Sequence, residues 1–183
     1  MLREWAISQD LSFDHHQDRS LDVQYPSFEC LRQGRSRFGF NHMRGTWQAL
    51  NFHAFDYRYV TGSGKSRKTH RFSAVVMESS IPLKDLLIRS EHFGDKVAEF
   101  FGADDIDFES IEFSEKYYVK ASDKRWAFDV LHQRTIEFIL GWPDFDLQFD
   151  KWRVIAYRNC LFEPLDFQNA ADLIHGILDR MPG

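Results

Sequence analysis

The chain has 183 residues, 43% hydrophobic and 28% charged, the size and balance of one globular domain rather than a disordered tail. Its 23 basic and 28 acidic residues give a net charge of -5, which argues against a general nucleic-acid binder, because such proteins draw most of their non-specific affinity from a basic excess. Eighteen Phe, six Tyr and five Trp make 16% of it aromatic, an excess that excludes a coiled coil or a collagen-like repeat.

Leu2, Trp5 and Ala6 stand at helical spacing, which predicts a short amphipathic helix over residues 2–9. Asp14 to Gln24 is polar and reads as a loop ending at Pro26. Phe28 to Leu31 reads as a short extended segment before a turn at Gly34, and Arg37 to Trp47 as a strand. Leu50 to Val60 alternates with period two: His53, Phe55, Tyr57 and Tyr59 on one face, Phe52, Ala54, Asp56 and Arg58 on the other. The Gly-rich stretch from Thr61 to Lys68 is a loop by composition, and His70 to Met77 resumes as a strand, so the pair predicts a long hairpin. Leu83 to Arg89 reads as a further strand.

Phe93, Val97, Phe100 and Phe101 predict a short helix stopped by Gly102. Asp104 to Phe113 reads as acidic and extended, and Tyr117 to Lys120 as a short strand. Ser122 is the expected N-cap of a helix through Trp126, Val130 and Leu131 that continues or restarts through Ile136, Ile139 and Leu140 and ends at Gly141. Phe145 to Phe149 and Trp152 to Ala156 alternate as a second hairpin. The chain closes on a helix with Pro164 in its first turn and a stripe of Phe167, Ala170, Ala171, Ile174, Ile177, Leu178 and Met181. The expected fold is one α+β domain over residues 1–183: a curved antiparallel sheet of five or more strands with packed helices, similar in outline to a pleckstrin-homology-like roll.

Four blocks in order along the chain resemble a family of uncharacterised bacterial proteins: Phe40-Asn41-His42-Met43-Arg44-Gly45, then Phe55-Asp56-Tyr57-Arg58-Tyr59 running into Thr61-Gly62-Ser63-Gly64-Lys65, then Asp105-Ile106-Asp107-Phe108-Glu109 with Glu112-Phe113, then Asp129-Val130-Leu131-His132 with Arg134-Thr135. The resemblance runs from about Trp5 to the last helix. Many of its members resemble a domain placed after a membrane-spanning segment. It implies one complete domain and brings no activity, cofactor or catalytic residue.

Gly62-Ser63-Gly64-Lys65-Ser66 is not a phosphate loop. Tyr59 stands where the first glycine belongs, and strands flank the loop where a strand and a helix are needed. The same loop carries Lys65, Arg67, Lys68, His70 and Arg71, the strongest local positive cluster of an acidic protein and the candidate contact for an anionic ligand or a protein partner. The alternative is a solvated loop kept soluble by its charge.

Asp105, Asp107 and Glu109 would share a face of an extended chain, but Ser110 occupies the position an EF-hand gives to glycine. His15 and His16 are adjacent, and in extended chain such side chains point apart, so no metal site is expected. His53, Asp56, His70 and Cys160 are the residues from which an enzyme site, of hydrolase type, would have to be assembled. Cys30 and Cys160 form neither a CxxC nor a disulfide framework.

Neither a signal peptide nor an apolar run of ~18 residues is present, which points to the cytoplasm, with membrane contact only peripheral. The reading that survives is a non-catalytic ligand- or protein-binding module with a basic hairpin tip and no cofactor, with self-association open. A small-molecule or lipid-like binder with an aromatic pocket between sheet and helices is the alternative, and an enzyme the third reading.

Overall fold

In the computed structural model, which describes residues 1–90 and 106–183, the aromatic alternation between residues 35 and 78 becomes three long antiparallel strands. They are β2 (Arg35–Trp47), β3 (Leu50–Thr61) and β4 (Lys68–Glu78), preceded by helix α1 (Leu2–Ser8), the short strand β1 (Ser12–Asp14) and one helical turn α2 (Leu21–Gln24). Strand β5 (Leu86–Ser90) follows. After the undescribed residues come α3 (Ile111–Lys116), β6 (Tyr117–Ala121), α4 (Lys124–Val130), α5 (Gln133–Leu140), β7 (Asp146–Phe149), β8 (Arg153–Arg158) and α6 (Pro164–Asp179). The helix expected over Phe93 to Phe101 lies outside the described residues.

The eight strands form one curved antiparallel sheet in the order β1-β2-β3-β4-β8-β7-β5-β6. The hairpin β7–β8 inserts between β4 and β5, so the first and second halves of the chain share one sheet. The two edges are short strands of three and five residues, which limits the unpaired backbone offered to another sheet.

On one face, Phe52 and Ala54 of β3, Val75 and Met77 of β4 and Val154 and Ala156 of β8 meet α6 through Phe167, Ala170, Ala171 and Ile174. On the other, Phe55 and Tyr57 of β3, Phe72, Ala74 and Val76 of β4 and Ile155 of β8 are covered by Leu21, Phe28 and Leu31. Strand β3 is therefore buried on both faces from Phe52 to Tyr57.

That second cover is not a strand. Residues Glu29–Leu31 form a single 3-10 turn where extended chain was expected. The polar stretch Asp14 to Gln24 starts on the last residue of β1 and ends in α2 rather than being only loop. Tertiary burial decides here: the periodicity of four residues cannot distinguish strand from turn, and Leu21, Phe28 and Leu31 are fixed by what they cover. Residues 106–110 take up no regular strand and Ile111–Lys116 is helical, although Ile106 and Phe108 are buried and Asp107 and Glu109 exposed as alternation predicts. Asp123 rather than Ser122 caps α4, its carboxylate accepting from Trp126 N at 3.0 Å. The helix restarts after His132 rather than continuing.

Two bulges bend β2, between Arg35 and Phe38 and between Phe40 and Met43. At the second, Asn41 has φ +50, the left-handed conformation Asn tolerates better than most residues. Gly34, at φ +59, turns the covering segment into β2, and a β-carbon there would stand 2.3 Å from the Val60 carbonyl oxygen. Gly34→Ala combines a left-handed backbone with a backbone clash. It is expected to lower unfolding free energy by about 2 kcal/mol or more, read as a shift of the urea midpoint at unchanged slope. A change within about 0.5 kcal/mol would contradict this account of the turn.

Candidate functional site

The hairpin tip between β3 and β4 is built as the glycines suggest. Gly62 and Gly64 have φ +69 and +54. A 3-10 turn over Gly64–Ser66 is closed by Ser63 and Ser66, with the Ser66 hydroxyl donating to Ser63 O at 2.8 Å. Lys65, Arg67, Lys68 and Arg71 are exposed. His70 is held differently: its ring stacks on Tyr59 at 4.5 Å and 9°, and its Nε2 lies 2.7 Å from Thr61 Oγ1. Burial and the neighbouring Lys68 hold its pKa below the usual value. Strand alternation places His70 and Arg71 on opposite faces.

The ladder adds residues that the tip's own sequence does not name. Arg58 pairs directly with Arg71 across β3 and β4, a like-charge opposition that is destabilising by itself. Arg58 also lies over the Phe38 ring at 5.2 Å, with Arg19 over the same ring at 5.9 Å, and Phe38 lies 5.9 Å from Phe40. Arg35 reaches the tip and donates to Gly62 O at 2.5 Å. Phe38 and Phe40 are half-buried. Among the described residues none of Arg19, Arg35, Arg58, Lys65, Arg67, Lys68 and Arg71 forms an ion pair. Register made Arg58 legible, since a loop centred between Thr61 and Lys68 already pairs 58 with 71. The bulges of β2 hid Phe38 and Arg35.

The residues considered for an enzyme site do not converge. His53 pairs with Val76 and His70 with Tyr59, six residues apart and so about 20 Å along the strand. His53 faces the covering segment, where its Nδ1 is 2.7 Å from Tyr25 Oη and its Nε2 is 3.1 Å from His42 Nδ1. Asp56 faces the helices, accepting from Ser73 Oγ at 2.5 Å and Asn41 Nδ2 at 2.9 Å, while Phe162 N donates to Ser73 Oγ at 2.8 Å. Burial raises the Asp56 pKa. Cys160 is exposed, and its carbonyl accepts from Ser73 N. Asp14, His15 and His16 do come together, with ligand atoms within 4.8 Å of one another and the two rings stacked at 4.3 Å. This corrects the expectation that the adjacent histidines diverge. All three are exposed, and His16 Nδ1 is held at 2.6 Å by Asp14.

No family model matches the sequence, and no curated protein matches it. Among solved structures the chain is similar to the mycobacterial trehalose monomycolate transport factor A, TtfA. The two share 8% identity, the match covers 99% of this chain and 94% of that chain, and the TM-score is 0.74. At that identity the likeness shows the fold alone. No helix among the described residues is long and apolar enough to cross a membrane.

Burial, followed by Arg44 and His42, pushes the His53 pKa down to about 3, and burial also lowers that of His42. The unfolded chain takes up protons near pH 6.5 and the folded one resists. Stability contributed by His53 is full above pH 6.5 and falls as pH drops toward 3, by about 1.4 kcal/mol per pH unit, and His42 acts in the same direction. His53→Gln, which keeps hydrogen-bonding atoms but does not titrate, is expected to flatten the slope of unfolding free energy between pH 6.5 and 5. An unchanged slope would contradict the burial argument. The thiols divide in the same way. Burial pushes Cys30 far above the usual thiol range, so an aromatic disulfide reagent at pH 8 is expected to label one thiol quickly in the native protein and two in denaturant. Two fast thiols in the native state would refute this.

Proposed function

We propose that the protein is a non-catalytic binding module whose basic end, centred on Lys65, Arg67, Lys68 and Arg71 with Arg58 and Arg35 behind them, docks an acidic segment of a protein partner. The observation that carries this reading is the Arg58–Arg71 pair. Two arginines occupy directly opposed positions of a ladder, among cations without ion pairs in the described residues of a protein of net charge -5. Arg58 does serve the fold through the Phe38 ring and Ser36 O, but opposing it with a second arginine is unfavourable by itself, whereas an incoming carboxylate is held bidentately by arginine.

The choice of a protein segment over a membrane surface follows from composition. Five of the seven cations are arginines and two half-buried phenylalanines lie among them. Arg with aromatic rings is the composition enriched at protein interfaces. The transport factor that shares the fold is named for moving trehalose monomycolate rather than for a chemical transformation, and a fold put to that use accords with binding rather than catalysis here.

A fluorescent glutamate-rich peptide tests the proposal. The protein is expected to bind it with an affinity that falls as salt rises. Lys65→Ala/Arg67→Ala/Lys68→Ala is expected to weaken binding at least about tenfold at low salt. Because those three side chains are exposed, stability should stay within about 0.5 kcal/mol. Equal binding by both proteins, or binding to phosphatidylglycerol vesicles without binding to the peptide, would overturn it.

A further inference from the structure

The face of the sheet turned away from α6 is only partly covered. The segment carrying Leu21, Phe28 and Leu31 lies over β3, β4 and the middle of β8. Gln148 of β7 holds it there, accepting from Glu29 N at 3.1 Å and donating to Ser27 O at 2.8 Å. Beyond Gln148 the cover ends. A cleft of about 300 Å³ remains between the segment and the ends of five strands. It lies at some remove from the Arg58–Arg71 pair, which faces the other side of the sheet.

Side chains of contrasting kinds meet in this cleft. Arg89 of β5 lines it, and its guanidinium forms no hydrogen bond and no ion pair among the described residues. Its Nε is nonetheless buried without a partner. A buried donor left unpaired costs about 1–3 kcal/mol, so the arrangement is one that a ligand would improve. Asp146 of β7, also in the lining, is 6% exposed. One of its carboxylate oxygens accepts from Ser90 N at 2.8 Å, and no hydrogen bond to the other comes from the described residues. Gln33 and Asn159 at the exposed rim add amides. Phe72 and Tyr157, 5.9 Å apart at 55°, supply the apolar wall.

We propose that this cleft is a binding site for a small hydroxyl-rich molecule of mono- or disaccharide size. The lining offers donors (Arg89, Gln33, Asn159), acceptors (Asp146 and the amide oxygens) and aromatic surface within one space. Hydroxyl groups satisfy both donors and acceptors of this kind, and the C–H faces of a sugar ring pack on aromatic rings. A simple anion would gain Arg89 but would have to approach Asp146 and Glu29, both in the same lining. A simple cation would meet the reverse. The volume accommodates one or two sugar rings and is at the lower end of the range for ligand pockets.

The inference is independent of the basic end, and its test uses different probes and different variants. Saturation-transfer NMR with glucose and with sucrose, at concentrations to about 50 mM, is expected to show transfer to the ring C–H protons. Arg89→Met and Asp146→Asn are each expected to weaken binding about tenfold or more. Asn159→Trp, which fills the mouth from an exposed position, is expected to abolish binding while leaving the unfolding midpoint unchanged, and so separates a lost site from a lost fold. Binding of inorganic phosphate or glutamate with no binding of either sugar would overturn the assignment. So would no saturation transfer from either sugar, or sugar binding that survives Asn159→Trp.

Discussion

Strand β3 cannot be left open on either side. Phe52, Ala54 and Asp56 are buried on one face and His53, Phe55 and Tyr57 on the other, so the sheet needs two covers, and the whole arrangement of the chain answers that need. The helices supply the first cover in the usual way, with the small residues Ala170 and Ala171 letting α6 approach. The second is irregular chain. A segment without a ladder must satisfy its backbone groups through side chains, and the contacts do so one by one. Gln148 takes Glu29 N and Ser27 O, Tyr57 Oη donates to Leu31 O at 2.6 Å, and Arg153 donates to Gln24 O at 3.0 Å. Arg37 pairs with Asp22 at 2.9 Å. Three apolar anchors supply the burial and these polar contacts set the position.

The same double burial explains what His53 and Asp56 do. Three positions apart on an alternating strand, they must face opposite ways. Each is then enclosed in its own side's cover, and each is used to hold that cover. Asp56, through Ser73, ties down the chain at Phe162 where it leads into α6. His53 meets Tyr25 at the start of the covering segment and His42 on the neighbouring strand. Such groups have perturbed pKa values, a property that also marks active sites. Here the perturbation comes from burial in structural contacts, and no second titratable group shares a cleft with both.

Much of this fold is legible in the sequence because it rests on periodicity. Alternation from Leu50 to Val60, the Gly-rich tip, the stripe from Phe167 to Met181 and the restart before Ile136 all have strong local signals, and the structure has an element at each. What was hidden depends on distant residues. Gln48 and Ala49 form the β2–β3 turn with φ +49 and +67; neither is the Asn or Gly such a turn prefers, and its place shows only in the strands that end at Trp47 and resume at Leu50. The covering segment reads as loop until the face it covers is known. The same holds for the two surfaces. Lys65, Arg67 and Lys68 are adjacent and visible, whereas Arg35 and Phe38 join them only through a bulged register. Between Arg89 and Asp146 come α3, β6, α4 and α5, and between Asp146 and Asn159 comes β8, so the three have no common pattern.

The two covers also account for where binding surfaces are left. α6 spans β4 and β8 and stops short of the Arg58–Arg71 end. The covering segment stops at Gln148 and leaves the ends of β5, β7 and β8 open. Neither gap is purely apolar, as a mere shortfall of core would be. The first sets arginine around Phe38 and Phe40, the second sets arginine, carboxylate and amide against Phe72 and Tyr157. Polar groups at a cover's edge can remain hydrated at little cost, but Arg89 Nε is buried without a partner among the described residues, beside an Asp146 that is itself only 6% exposed. That is a free-energy debt a solvated rim does not incur, and it distinguishes the cleft beside β5 from an ordinary gap between loop and sheet.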